Sequence, residues 1–247
     1  MITLRFGLVA AIGLITAENF QSANACYPYN VVQDDCNNAI EKIQLVNEKL
    51  PENENEIRAI SGTCAVVVWN KKWIKHVTRD QIREAATEHF KGCPGQAGII
   101  LLPSNQELAL EFKIRAPALS QWEAWNADAE FKKAYCFQPE DELGIGSKED
   151  CKIAYNTAVP VNPQTKFISR TSWFQVKYGS CMVRFTTSDG SPIRMKKEDA
   201  DQAIIAMFDQ CDKIPGAVNL NGATGPNGRL FVRTMATKKK RPSLLLI

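Results

Sequence analysis

Eight cysteines are the residues of this chain best placed to do chemistry: Cys26, Cys36, Cys64, Cys93, Cys136, Cys151, Cys181 and Cys211. As thiolates they could attack a substrate or hold a metal; as pairs they would staple a fold. No two stand as Cys-x-x-Cys, the spacing of zinc ribbons and thioredoxin-type redox sites. Their number is even, which favours structural disulfides. His76 and His89 are the only imidazoles, and neither stands in a metal-binding or triad pattern. No GxSxG elbow, HExxH, P-loop or GxGxxG occurs. The acidic pairs Asp34-Asp35 and Glu149-Asp150 could form a hydrolase dyad. Each sits at the expected start of a helix, where the positive end of the helix dipole already accounts for an acid. No catalytic residue, metal ligand or cofactor is assigned, and enzymatic activity is not expected.

The cysteines expose an internal repeat. In the first set (Cys26, Cys36, Cys64, Cys93) the intervening lengths are 9, 27 and 28 residues; in the second (Cys136, Cys151, Cys181, Cys211) they are 14, 29 and 29. Their surroundings repeat as well. Asp35-Cys36-Asn37-Asn38-Ala39 matches Asp150-Cys151-Lys152-Ile153-Ala154. Gly62-Thr63-Cys64-Ala65-Val66 matches Gly179-Ser180-Cys181-Met182-Val183. Phe90-Lys91-Gly92-Cys93 matches Phe208-Asp209-Gln210-Cys211. A repeated register of this kind marks a repeated structural unit.

Periodicity places these boxes on elements. Cys36, Ala39, Ile40, Ile43 and Val46 recur at helical spacing, and Ala65 to Trp69 is a valine-rich strand. Thr78 with Gln81 is a capping box that opens a second helix, with Ile82, Ala85, Ala86, His89 and Phe90 inward. Strands follow at Gly98 to Leu102 and Leu108 to Ile114. The second copy repeats the order: a helix at Cys151 to Ala158, strands at Trp173 to Tyr178 and Cys181 to Thr186, a helix at Lys197 to Cys211, then strands at Ala217 to Leu220 and Leu230 to Met235. The fold class is α+β: two tandem two-layer α/β sandwiches, each with two helices on an antiparallel sheet. Residues 26–115 form the first domain, 116–133 a linker and 134–236 the second domain. Trp122, Trp125 and Ala129 follow Ser120 at helical spacing, so the linker reads as a helix whose tryptophans dock on a domain.

Four cysteines allow three pairings. If the two helices of a copy pack antiparallel, the start of the first lies beside the end of the second. That predicts Cys36–Cys93 and Cys26–Cys64, and in the second copy Cys151–Cys211 and Cys136–Cys181.

Residues 1–25 have the layout of a secretory signal peptide: Arg5, the apolar run Phe6 to Thr16, and Ala23-Asn24-Ala25 before the cut. The apolar run falls short of the roughly 20 residues of a membrane span. The expected compartment is extracellular. Net charge is +3, but Lys238, Lys239, Lys240 and Arg241 contribute +4, leaving the rest at −1. The 237–247 segment reads as a basic disordered tail. A near-neutral body argues against a nucleic-acid partner. No Asn-x-Ser/Thr sequon follows the expected cut, and a monomer is expected.

The Asp-Cys-x-x-Ala helix start, the Gly-(Thr/Ser)-Cys strand start and the following amphipathic helix with strands resemble the fungal secreted effector family, also called necrosis-inducing factors. They are similar in outline to killer-toxin-like α/β sandwich proteins, here in tandem duplication. The effector family also carries a cysteine in the segment after the second helix; here the last cysteine ends that helix, which favours the killer-toxin-like group. The resemblance implies a protein that acts by binding a host or competitor protein, or a wall or membrane component, and it carries no catalytic residues. The competing expectations are a secreted hydrolase acting on wall polymers and a structural wall or matrix protein.

Overall fold

The fold is that of a computed structural model in which residues 24–74, 76–138, 146–212 and 214–237 are described. Most of the expected signal segment, and the basic block at Lys238 to Arg241, lie outside these residues. The first half runs β1 (Asn24–Asn30), α1 (Gln33–Glu41), β2 (Glu56–Ser61), β3 (Cys64–Trp69), α2 (Arg79–Gly92), β4 (Gln96–Leu102) and β5 (Asn105–Ile114). After a single 3-10 turn at Glu123–Trp125 the second half follows. It contains β6 (Ala134–Cys136), α3 (Lys148–Ala158), β7 (Phe167–Arg170), β8 (Trp173–Tyr178), β9 (Cys181–Thr187), β10 (Ile193–Lys196), α4 (Lys197–Gln210), β11 (Gly216–Leu220) and β12 (Leu230–Ala236).

The strand orders are the same in both halves. The first sheet runs β1-β4-β5-β3-β2 and the second β6-β11-β12-β9-β8, with all neighbours antiparallel. The pair β7 and β10 is a separate two-stranded addition in the second half. Each sheet buries one face under two helices. In β9 the residues Cys181, Val183, Phe185 and Thr187 are buried and alternate with half-buried Met182, Arg184 and Thr186, the period-two signature of a sheet covered on one side. The first core gathers Ile40, Val66, Val68, Ile82, Leu110 and Phe112; the second gathers Tyr155, Val183, Phe185, Ile204, Met207 and Val232.

The expected helices and central strands are present. Thr78 and Gln81 form the reciprocal capping box at the start of α2. The structure departs from the expected elements in several places. The first helix stops at Glu41 rather than running to Val46. The edge strands β1, β2 and β6, and the pair β7 and β10, were not read from the sequence; β1 and β6 carry little apolar alternation. The linker is not a helix. Asn126 closes it as a loop instead, accepting from the Ala116 N–H at 3.1 Å and donating to the Ala116 carbonyl at 3.0 Å. An Asn that bonds backbone in this way competes with helix formation.

The disulfides are Cys26–Cys93, Cys36–Cys64, Cys136–Cys211 and Cys151–Cys181, with Cα separations of 5.6, 5.1, 5.4 and 5.1 Å. All four pairs stay within one half, but the connectivity differs from the expected Cys26–Cys64, Cys36–Cys93, Cys136–Cys181 and Cys151–Cys211. The helices do run antiparallel. In the second half Lys152 near the start of α3 meets Asp209 near the end of α4, and Tyr155 meets Asp201 near its start. In the first half Glu41 at the end of α1 meets Arg83 in α2. What defeats the expected pairing is the direction each cysteine faces: both helix cysteines of a half are turned to strands rather than to the neighbouring helix. Cys36 of α1 is instead bonded to Cys64 at the start of β3, and Cys93 at the end of α2 to Cys26 of the edge strand β1; the second half does the same, α3 to β9 through Cys151–Cys181 and the end of α4 to β6 through Cys136–Cys211.

Candidate functional site

No cysteine is free among the described residues, so none is a nucleophile or metal ligand. No group of three His, Cys, Asp or Glu side chains is placed to hold a metal ion among the described residues. His89 is fully buried in the first core. Its Nε2 donates to the Gln96 carbonyl at 3.1 Å, its Nδ1 lies 2.8 Å from the Asn24 side-chain amide, and its ring stacks on Phe112. Burial holds its pKa below the ordinary histidine value, so it is a neutral core residue. His76 is exposed. Asn24 and Ala25, which precede the expected signal-peptide cut, pair with Ile100 and Ile99 in the sheet.

The acidic pairs are structural. Asp34 and Glu149 are exposed in the first helical turns. Asp35 accepts from the Thr63 backbone N–H and hydroxyl, both at 2.8 Å. Asp150 accepts from the Ser180 hydroxyl at 2.6 Å and backbone N–H at 2.7 Å. These bonds hold both carboxyls below the usual range: for Asp35 the backbone bond first, for Asp150 the hydroxyl first. Gly62 and Gly179, in the turns so clamped, both have φ of +50°. A Cβ at either would lie within 2.4 Å of the aspartate carboxyl.

The face of the first sheet away from its helices is concave where the linker crosses it. A cleft of about 480 Å³ lies between this face and the linker. Its floor is Ile60, Ala65 and Val67; its walls include Arg58, Trp122 and Trp125. Trp125 sits between the Arg58 guanidinium, 5.3 Å from its ring centre, and Phe231 of the second sheet at 4.7 Å. Trp122 remains 47% exposed and is free to meet a ligand. Thus only one linker tryptophan docks as expected. The Trp125 indole N–H and the Arg58 Nε–H are buried with no acceptor in the protein. Arg58 also ion-pairs with Glu56, whose carboxyl is raised above its ordinary value by burial, against the opposing pull of Arg58.

A second depression, about 470 Å³, adjoins it on the same face. Glu111, buried there, accepts from the Trp69 indole at 2.9 Å and the Tyr27 hydroxyl at 3.4 Å. Burial first, and then this carboxylate, raise the Tyr27 pKa.

One further polar cluster joins the two halves. Glu54, between α1 and β2, and Asp189, between β9 and β10, are almost completely buried. Asn227 donates to both Glu54 oxygens, from its backbone at 2.6 Å and its side chain at 2.7 Å, and it also bonds the Gln44 backbone in both directions. Asp189 accepts from Ser191 and offers its carbonyl to the Asn55 N–H at 2.8 Å. Its Oδ2 meets no other fixed donor and faces the Glu54 carboxyl, which donates to Asp189 when protonated. Burial pushes Glu54 up to about 8; the Asn227 bonds oppose this and the neighbouring Asp189 adds to it. The glycine turn at Gly225 and Gly228 seals the pair from solvent: a Cβ at either would lie about 2 Å from Asp189 Oδ2. A buried, sealed pair of carboxyls at an interface holds two surfaces together and has no access to a substrate.

Neither this interface nor the cleft was found from the sequence. The Asn-Gly pair at Asn227-Gly228 read as an ordinary turn, and Arg58 and Glu54 carry no motif.

The sequence matches no protein-family model and no curated protein. The solved structures similar to it include two ectodomains. One is the tandem DUF26 ectodomain of the Arabidopsis thaliana cysteine-rich receptor-like protein PDLP8, at 8% identity and a TM-score of 0.27, covering 87% of this chain and 97% of that one. The other is the tandem DUF26 ectodomain of the Arabidopsis thaliana cysteine-rich receptor-like protein PDLP5, at 11% identity and a TM-score of 0.25, covering 87% of this chain and 98% of that one.

Proposed function

We propose that this chain is an extracellular, non-catalytic binding protein whose ligand occupies the cleft between the first sheet and the linker. The observation that carries the reading is the lining of that cleft, an apolar floor of Ile60, Ala65 and Val67 beside the half-exposed Trp122 indole, with the Arg58 guanidinium at its wall. An apolar floor, a half-exposed indole and a cationic donor suit a ligand with a flat apolar face and acceptor oxygens, as a sugar ring presents. Four disulfides suit an oxidising extracellular setting. The resemblance to fungal effectors and killer-toxin-like proteins supplies a biological setting, in which the ligand belongs to the surface of a host or competitor cell. No helix among the described residues is long and apolar enough to cross a membrane.

The test is a binding screen of the oxidised protein against neutral wall oligosaccharides (chitin, β-glucan and mannan fragments), read by tryptophan fluorescence. At least one should bind, and Trp122→Ala should weaken it tenfold or more while leaving thermal stability nearly unchanged, since that ring is half exposed. Equal binding by the wild type and Trp122→Ala would remove the cleft as the site.

A further inference from the structure

The linker covers Tyr135, Ala217 and Phe231 on the far face of the second sheet and leaves that face open toward β8 and β9. Arg184 on β9 and Arg233 on β12 stand directly opposite each other there. Opposed like charges weaken a sheet, and other arginines of this protein pair with acids, Arg83 with Glu41 and Asp80 and Arg115 with Asp128, while Arg194 and Arg229 lie singly over Phe167 and Phe131. Arg184 and Arg233 make no ion pair among the described residues. Each instead lies against an indole: Arg184 5.4 Å from the centre of Trp173, Arg233 6.0 Å from that of Trp122. Arg233 is half-buried, and burial first and Arg184 second lower its pKa. Gln175 on β8 continues the row, directly opposite Arg184.

The matching row of the first half shows that this arrangement is not imposed by the fold. Cys64 and Cys181 open equivalent strands, so Val67 is equivalent to Arg184. By the same register Glu111 is equivalent to Arg233 and Arg58 to Gln175. Where the first half sets an apolar residue opposite an acid, the second sets two arginines side by side.

We propose that Gln175, Arg184 and Arg233, with Trp173 and Trp122 at either end, form a second ligand site that takes the carboxylate of an acidic sugar. A guanidinium lying over an indole has its face occupied and its fork of N–H donors left in plane, the geometry that grips a carboxylate with two parallel bonds. An anion placed between the two arginines removes the repulsion between them. The row from β8 to β12 crosses two strand spacings, roughly 10 Å, and Trp173 is 52% exposed, giving a sugar ring a surface to stack on. The charge is local: without the C-terminal basic block the chain sums to −1. An isolated arginine pair fits a ligand with one acid per ring better than the dense phosphates of a nucleic acid, which call for a broad basic surface.

Calorimetric titration of the oxidised full chain with trigalacturonic acid tests the site. The wild type should bind, and Arg184→Gln and Arg233→Gln should each weaken binding tenfold or more. Each variant should keep or gain thermal stability, since it removes one of two facing like charges; a purely structural arginine would show the reverse. Trp173→Ala should also weaken binding. Arg58→Gln, in the cleft of the first half, should leave it unchanged, which separates this site from that one. Absence of wild-type binding would overturn the proposal. So would equal binding of the methyl ester, unchanged affinity in both arginine variants, or displacement by a single-stranded oligonucleotide at lower concentration than the trisaccharide itself.

Discussion

Raising the pH from about 5 to about 9 ionises a carboxyl that the folded protein holds in its protonated form. Glu54 is pushed up to about 8 in the folded chain, from an ordinary value of 4.5. Below 4.5 the group is protonated whether the chain is folded or not, so it costs nothing. Above that, the unfolded chain gives up the proton freely while the interface retains it, and stability declines until the pH passes about 8. At 1.36 kcal/mol per pH unit, the interval from 4.5 to about 8 amounts to ~5 kcal/mol at most. The loss is capped where parting the two halves costs less than burying the charge. Among the described residues no lysine or arginine ion-pairs with Glu54 or Asp189 to relieve that charge. Chemical denaturation of the wild type and of Glu54→Gln at stepped pH measures the effect. Glutamine can still donate toward Asp189, but it leaves one Asn227 donor without an acceptor, costing roughly 1 kcal/mol. The variant should therefore be less stable than the wild type near pH 5 and more stable near pH 9, and the two curves should cross. Parallel curves would refute the reasoning. The acid limb has the opposite sign. Asp35 and Asp150 are held below 3.8, so their contribution is present above that value and disappears as the pH falls through their lowered folded values.

Two other perturbations test the scaffold. Non-reducing peptide mapping should recover Cys26–Cys93, Cys36–Cys64, Cys136–Cys211 and Cys151–Cys181 peptides. Replacing both cysteines of the longer Cys26–Cys93 loop by alanine should cost ~4.4 kcal/mol in urea unfolding, against ~3.6 kcal/mol for Cys36–Cys64, by the loop-entropy relation; equal or reversed losses would show that native contacts outweigh loop length. Gly62→Ala and Gly179→Ala should each destabilise the chain by ~1–2 kcal/mol or more, since a Cβ is strained at positive φ and would also strike the aspartate; a neutral result in urea unfolding would show that the clamp yields easily.

The helices and central strands were legible because burial on one face writes a period into the sequence. The Cys36 to Ile40 stripe, the valines of β3 and the Thr78 capping box are local signals. The edge strands β1 and β6 were not legible. They lie at a sheet margin, where only one neighbour must be matched and exposed residues such as Tyr29 are tolerated. The linker misled because helical spacing of Trp122, Trp125 and Ala129 outlived the helix: Asn126 folds the segment back on Ala116, and long-range docking on Phe231 chooses its shape. The disulfide register, by contrast, could have been read correctly. Asp35-Cys36 and Gly62-Thr63-Cys64 recur together as Asp150-Cys151 and Gly179-Ser180-Cys181. Both boxes recur because the aspartate clamp and the adjacent disulfide tie the same helix to the same turn.

That repetition also separates what the fold requires from what it leaves free. The clamp, the disulfides, the strand order and the apolar helix-facing residues occur in both halves, as they must if each half is to fold by the same contacts. Glu54, Asp189 and Asn227 occur once each, because an interface between two copies places different surfaces of the repeat against each other. The sheet faces turned away from the helices differ most. Equivalent register positions carry Arg58, Val67 and Glu111 in one half and Gln175, Arg184 and Arg233 in the other. Nothing in the cores forces that change, since these side chains point away from the helices. A duplicated scaffold that keeps its helix-facing chemistry and alters the charge of its open face can present two surfaces of different selectivity on one chain. The cleft beside Trp125 and the arginine row beside Trp173 differ in this way, and Trp122 lines the first and lies 6.0 Å from Arg233 of the second.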